Sequence, residues 1–167
     1  MYERILVPLD GSRVGEAALP AIEELAGKLA PQTHVEVTLL GVVTSLRHWV
    51  VVGEASAPVS YTEDEMKLIR GRVERYLLGA GAGLKSKGVT VKTIVQMGDA
   101  AEEILKAANE IKADIIAMST HGRSGLRRLA FGSITDKVLR GANMPVLTVR
   151  APEGTPNEWP VVRGGGS

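Results

Sequence analysis

Apolar residues recur along this chain in two rhythms that alternate from its start to about residue 150. Ile5-Leu-Val7 is a continuous apolar run closed by Pro8 and by Asp10-Gly-Ser12, the pattern of a strand covered on both faces, as in a parallel sheet. From Ser12 the apolar positions Val14, Ala17, Ala18, Ala21, Ile22, Leu25 and Leu29 follow helical spacing, and Pro31 lies just past the end. Pro20 interrupts that helix. Its missing N–H predicts a kink or a shortened first half, at about 3 kcal/mol where nothing compensates. His34 to Val43 alternates and then turns wholly apolar, as a second strand does on entering a core.

Thr44 to Ser60 has no clear period and contains Gly53 and Pro58, so it reads as a long loop with room for one helical turn. Its apolar Trp49-Val-Val-Val52 suits a ligand lid, a contact surface or packing over the sheet edge. Thr62 and Glu65 form a capping box, and Met66, Ile69, Val73, Tyr76, Leu77, Ala80 and Leu84 then mark one helical face as far as Gly88. Gly79-Ala-Gly-Ala-Gly83 has the composition of a dinucleotide loop but lies near the end of a helix, where such a loop would have to open one. Those glycines predict close packing or a frayed helix end. Val89, Val91, Thr93 and Val95 alternate as a third strand, and Asp99 with Glu102 caps a helix with the apolar face Ala100, Ile104, Ala107, Ala108 and Ile111. Asp114 to Met118 reads as a fourth strand, Ser133 onward as a fourth helix, and Pro145 introduces Val146-Leu-Thr-Val149 as a fifth strand.

This alternation predicts an α/β fold: one doubly wound, five-stranded parallel sheet in the order 3-2-1-4-5, with helices on both faces. Residues 1–150 form its single domain and 151–167 a C-terminal tail, whose last four residues read as flexible or as a remnant of cloning, while Trp159 and Val161-Val162 could dock on a partner or a neighbouring subunit. Ligands of such sheets bind beyond the carboxyl ends of the strands, where the strand order reverses. Here that crevice lies between strands one and four. It brings Pro8-Leu-Asp-Gly-Ser12 beside the stretch Ser119 to Ser133. In the second loop Gly122, Gly125 and Gly132 allow close backbone approach, and Gly132-Ser133 opens a helix whose first amides and positive dipole end suit a phosphate. A glycine-rich surface turn closed by an ordinary serine cap has the same pattern. Asp10 can accept hydrogen bonds from ribose hydroxyls or a base, or serve as a turn residue bonded to its own backbone.

Composition narrows the chemistry. The 167 residues contain no cysteine, which leaves no disulfide framework, thiolate nucleophile or zinc–cysteine cluster. A net charge of +1 and 4% aromatics argue against nucleic-acid binding. No apolar run has the length of a membrane span and the start has no signal-peptide pattern, so the expected location is cytoplasmic, with no membrane partner.

Four motifs then resemble one known family. Arg4-Ile-Leu-Val-Pro-Leu-Asp-Gly-Ser12, Ala113-Asp-Ile-Ile-Ala-Met-Ser-Thr-His-Gly-Arg-Ser-Gly125, Phe131-Gly-Ser133 and Met144-Pro-Val-Leu-Thr-Val149 are similar, in order and position, to the universal stress protein family. The resemblance implies the 3-2-1-4-5 sheet and a homodimer formed by antiparallel pairing of the last strand, here Val146, Leu147, Thr148 and Val149. One branch of the family binds ATP through a glycine, two residues, a glycine, nine residues, then glycine and serine or threonine. Gly122, the nine residues Arg123 to Phe131, and Gly132-Ser133 match its later part, but Ser119 stands at the first glycine. That departure implies added bulk near the ribose and phosphates, with a change in affinity or ligand choice. By position, Pro8 and Asp10 resemble the ribose and adenine contacts, Val42 the backbone contact to the adenine edge, and Gly122, Gly132, Ser133 and Ile134 the phosphate contacts. The full candidate set adds Leu9, Met118, Ser119, Arg123 and Gly125, with ATP, AMP or cyclic AMP as ligand. Mg2+ would come only with the phosphates, because no cage of several carboxylates is apparent.

Catalysis finds less support. No phosphate-loop lysine motif is present, and Asp10 is the only acidic group in the two loops. His121 alone makes no nucleotidyl-transfer site, and Arg127 and Arg128 read as a solvated loop face. The expectation is a nucleotide-binding regulatory dimer with slow or absent hydrolysis; the alternatives are an interaction module with an empty site and a weak ATPase. A phospho-receiver would need acidic residues after strand one and an aspartate ending strand three, where Gln96-Met-Gly98 stands instead.

Overall fold

The structure is a computed structural model and describes residues 3–44, 47–52, 55–120 and 132–156, with backbone alone for 47–52 and 55–57. Among the described residues seven strands and six helices follow one another as β1 (Arg4–Pro8), α1 (Arg13–Glu16), α2 (Leu19–Leu29), β2 (Glu36–Val43), β3 (Arg47–Val52), β4 (Ala55–Ser60), α3 (Glu63–Ala80), α4 (Ala82–Ser86), β5 (Thr90–Met97), α5 (Ala100–Glu110), β6 (Ile115–Thr120), α6 (Ser133–Gly141) and β7 (Val146–Arg150). Five of the strands make one parallel sheet in the order β5-β2-β1-β6-β7. Counting only these in chain order, this is the expected 3-2-1-4-5.

Strand periodicity explains why the apolar runs are continuous. Ile5 and Val7 face one way and Leu6 the other, and each side is roofed by helices. On the first side Ile5, Val7, Val37, Leu39, Ile115 and Ala117 pack under Leu19, Ile22 and Ala26 of α2, Leu77 of α3 and Leu84 of α4. On the second, Leu6, Leu40, Ile116 and Met118 meet Ala101, Ile104 and Ala108 of α5 and Val138 of α6. The register Val7↔Leu39 and Ile5↔Ile115 brings the ends of β1 and β6 to the same edge of the sheet.

One sequence expectation holds and two need correction. The first helix is interrupted as expected, dividing into α1 and α2 just ahead of Pro20, which sits in the opening turn of α2, where its missing N–H costs no intrahelical bond. The helix expected to run to Gly88 divides at Gly81, where a Cβ would lie 2.8 Å from Val91 Cγ1, so close packing accounts for that glycine. The stretch read as a loop contains an antiparallel ribbon, β3 with β4, registered from Arg47↔Ser60 to Val52↔Ala55. Its run Trp49-Val-Val-Val52 does not alternate, which hid the strand period, and Pro58 spoke against β4. A two-stranded ribbon is all edge, however, and an edge strand tolerates proline.

Candidate functional site

Beyond the carboxyl ends of β1, β2 and β6 lies a cavity of about 450 Å³. Its lining includes Pro8, Leu9, Asp10, Val42, Met118, Ser119, Gly132, Ser133 and Ile134, every described member of the candidate set. Gly122, Arg123 and Gly125 lie outside the described residues, as do His121, Arg127 and Arg128. Outside the two loops it brought together, the sequence reading missed Val14 and Gly15 on α1, Leu40 and Thr44 at the end of β2, Ala100 and Ile104 on α5, and Thr135 on α6. The signal for α5 was available: the Asp99 cap starts that helix at the carboxyl end of β5, on the same edge of the sheet as the other loops.

One wall of the cavity is the turn after β1. Asp10 Oδ1 accepts from the Ser12 amide at 2.9 Å and from Ser12 Oγ at 2.6 Å, so the carboxylate does hold its own turn. Only Oδ1 takes part in these bonds, and the residue is exposed at the cavity. Ser12 Oγ in turn accepts from the Gly15 amide at 2.9 Å, capping α1. From α3, the Tyr76 hydroxyl donates to Glu16 Oε1 at 2.9 Å. Burial first, then that carboxylate, pushes the Tyr76 phenol above its usual range and keeps it a donor.

The opposite wall is the start of α6. Gly132 is its N-cap, and no side chain among the described residues caps it. Asp136 N donates to Gly132 O at 2.9 Å, and the amides of Ser133, Ile134 and Thr135 before it have no acceptor in the helix. A Cβ on Gly132 would meet nothing within 4 Å among the described residues. The neighbouring α5 is different. Asp99 Oδ1 accepts from Ala101 N at 3.0 Å and from Glu102 N at 3.1 Å, and the Glu102 bond foremost, then the Lys137 ammonium 3.6 Å away and the Ala101 bond, hold its carboxyl below the usual range. Of the two helix starts at the cavity, α5 is therefore closed by its own carboxylate and α6 is open to an anion.

Ser119 lies between the two walls at the end of β6. Its hydroxyl does not stand free in the cavity: it accepts from the Ala18 amide and donates to the Gly15 carbonyl, both at 2.8 Å. The described lining contains no lysine or arginine, and among the described residues no group of His, Cys, Asp and Glu is arranged to hold a metal ion. What the cavity offers is apolar surface from Leu40, Val42 and Ile104, the Asp10 carboxylate, and the backbone amides and hydroxyls of Ser133 and Thr135. These fit a nucleoside phosphate, with a flat apolar body and an anionic end.

Comparison with known proteins agrees with this architecture. Residues 1–150 match the family model described as the universal stress protein family. Universal stress protein MJ0577 of Methanocaldococcus jannaschii is 31% identical over 159 residues, covering 90% of this chain and 96% of that protein. Its solved structure superposes with a TM-score of 0.67 at 27% identity, over 92% of this chain and 99% of that one. The structure of the universal stress protein from Archaeoglobus fulgidus in complex with dAMP gives a TM-score of 0.58 at 16% identity, over 88% of this chain and 97% of that one, a likeness of fold alone. No helix among the described residues is long and apolar enough to cross a membrane.

Proposed function

The chain belongs to the universal stress protein family, and on that premise we propose that its cavity binds an adenine nucleotide, ATP or its relatives AMP and cyclic AMP, and that the protein acts as a nucleotide-responsive regulator in a stress response. One observation carries this reading: the exposed Asp10 carboxylate and the uncapped start of α6 face a single cavity of about 450 Å³. In it Asp10 and the Pro8–Leu9 backbone hold the ribose and base beside Val42, and the amides of Ser133 and Ile134, reached past Gly132, hold phosphate oxygens. Mg2+ arrives on the phosphates. Proteins of the same fold hold cAMP, dAMP and AMP in their solved structures, which supports the choice of ligand class.

The chain binds its nucleotide and turns it over slowly or not at all, because its sequence has no phosphate-loop lysine motif and the two loops contribute a single carboxylate. The reading as an empty interaction module drew on Ser119, and its hydroxyl is engaged with α1 and the turn that follows. β7 is the last strand of the sheet, and pairing of Val146, Leu147, Thr148 and Val149 with a second copy would cover that edge in a homodimer. We place the protein in the cytoplasm, where the nucleotides are.

Thermal unfolding tests the binding. A nucleotide present at a hundred times its Kd adds about 2.7 kcal/mol to the folded state, and so raises the midpoint by several degrees. An unchanged midpoint with saturating ATP, AMP and cyclic AMP contradicts the reading.

A further inference from the structure

In an unbroken helix the Ala18 amide would donate to the Val14 carbonyl, and the Gly15 carbonyl would accept from the Leu19 amide. The Ala18 amide falls in the break between α1, which ends at Glu16, and α2, which starts at Leu19, and the Gly15 carbonyl, in the last turn of α1, points into that break. The Ser119 hydroxyl, 101 and 104 residues further along the chain, engages both, accepting from Ala18 N and donating to Gly15 O at 2.8 Å. A single side chain from another element is spliced into the helical ladder. Its donor and acceptor are both used, so two backbone groups that α1 and α2 leave unpaired are satisfied together.

The splice reaches the site through Gly15. That residue's carbonyl is held by Ser119, its amide is held by Ser12 Oγ, and Ser12 Oγ donates to the Asp10 carboxylate. Glu16, the next residue, is held from α3 by Tyr76. A line of hydrogen bonds therefore runs from the end of β6, which leads into the loop before α6, to the carboxylate on the opposite wall. We infer that Ser119 is a positioning residue: its hydroxyl locks the turn after β1 to the end of β6 and so fixes Asp10 against the cavity. Ser119 lines the cavity, but its hydroxyl is taken up by the Ala18 amide and the Gly15 carbonyl, a brace that glycine at this position cannot supply. The ligand consequence rests on the nucleotide reading above; the lock itself does not.

The test uses the full chain and its variants Ser119→Ala, Ser119→Gly and Ser119→Thr, with two readouts. The first is hydrogen exchange of the Ala18 amide in ligand-free protein, with Ile116 in the sheet as the reference for global opening. The second is ATP affinity by titration. Loss of the hydroxyl speeds Ala18 exchange by about tenfold or more relative to Ile116 in the Ala and Gly variants, and Thr, which keeps the hydroxyl, restores protection. ATP affinity falls by about five- to tenfold in Ala and Gly and returns with Thr, as loss of one or two hydrogen bonds through a positioned neighbour would give. Unchanged Ala18 exchange overturns the lock. Faster exchange with ATP bound as tightly as by the parent, or more tightly in Ser119→Gly, overturns the positioning role. A parent that binds no ATP defeats the nucleotide reading instead, and Ala18 exchange alone then decides the lock.

Discussion

Gly15 packs against Asp10 so closely that a Cβ on the glycine would collide with the carboxylate Oδ1. Asp10 cannot easily yield, since that same oxygen holds both the amide and the hydroxyl of Ser12. Gly15→Ala is therefore expected to swing the carboxylate out of place. Alanine favours a helix by about 0.5–1 kcal/mol over glycine, so overall stability stays near that of the parent. Nucleotide affinity falls by about tenfold, a loss of roughly 1.4 kcal/mol. The same substitution made in an Asp10→Ala background has little further effect on affinity; two fully additive losses would show that Gly15 acts elsewhere.

Gly132 allows a cleaner probe of the opposite wall. Its φ of −52° and ψ of 154° suit any residue, and no described atom lies within 4 Å of a Cβ there. Gly132→Val is expected to fold as the parent does and to lose at least about tenfold in ATP affinity, because the branched side chain fills the space in front of the α6 amides. Unchanged affinity, measured by titration, would put the phosphates elsewhere.

Acid sensitivity is expected at the other end of the sheet. Asp114 Oδ2 accepts from Arg4 N at 2.8 Å and from Glu3 N at 3.1 Å, and the Arg4 guanidinium stands 3.6 Å from Oδ1. Burial pushes this carboxyl up, but the two amides, followed by the guanidinium, outweigh it and leave the group below its usual range. A lowered folded-state value means stabilisation that is complete above the ordinary aspartate range, about 4, and is lost as pH falls through the lowered value. Asp114→Ala should cost about 1.5–3 kcal/mol at pH 7, read by urea unfolding. That difference should shrink on acidification, and a gap that stays constant down to acid unfolding would contradict the assignment.

Helix α3 sits on β2 at a glycine. A Cβ on Gly41 would run into Val73 Cγ1, with Leu77 Cδ1 behind it at 3.5 Å. Gly41→Ala is expected to destabilise the fold by about 1–3 kcal/mol through overpacking. Adding Val73→Ala should recover part of that loss in denaturant unfolding, a coupling that independent sites would not give.

Much of this was legible from the chain because burial on both faces leaves its mark on a parallel strand. Ile5-Leu-Val7 and Asp114 to Met118 read as strands from apolar content alone, and the capping pairs Thr62/Glu65 and Asp99/Glu102 marked where α3 and α5 begin. Both walls of the cavity followed from strand order. The Ser119 bonds did not, because residues 101 and 104 positions away meet only once β6 is laid beside β1. From the sequence the serine was an intrusion on the ligand, whereas its two partners turn the hydroxyl into a brace. The ribbon β3–β4 was hidden by the lack of alternation in its apolar run, whereas Ala100 and Ile104 could have been found from the Asp99 cap that opens α5 at the same edge of the sheet.

Calorimetric titration of the purified protein, freed of carried-over ligand, with ATP, AMP and cyclic AMP in the presence and absence of Mg2+ tests the central claim most directly. The account predicts a Kd of about micromolar order, corresponding to about −8 kcal/mol, that tightens with the number of phosphates because they meet the open start of α6. Absence of binding by all three nucleotides, from a protein shown to be folded, would contradict it.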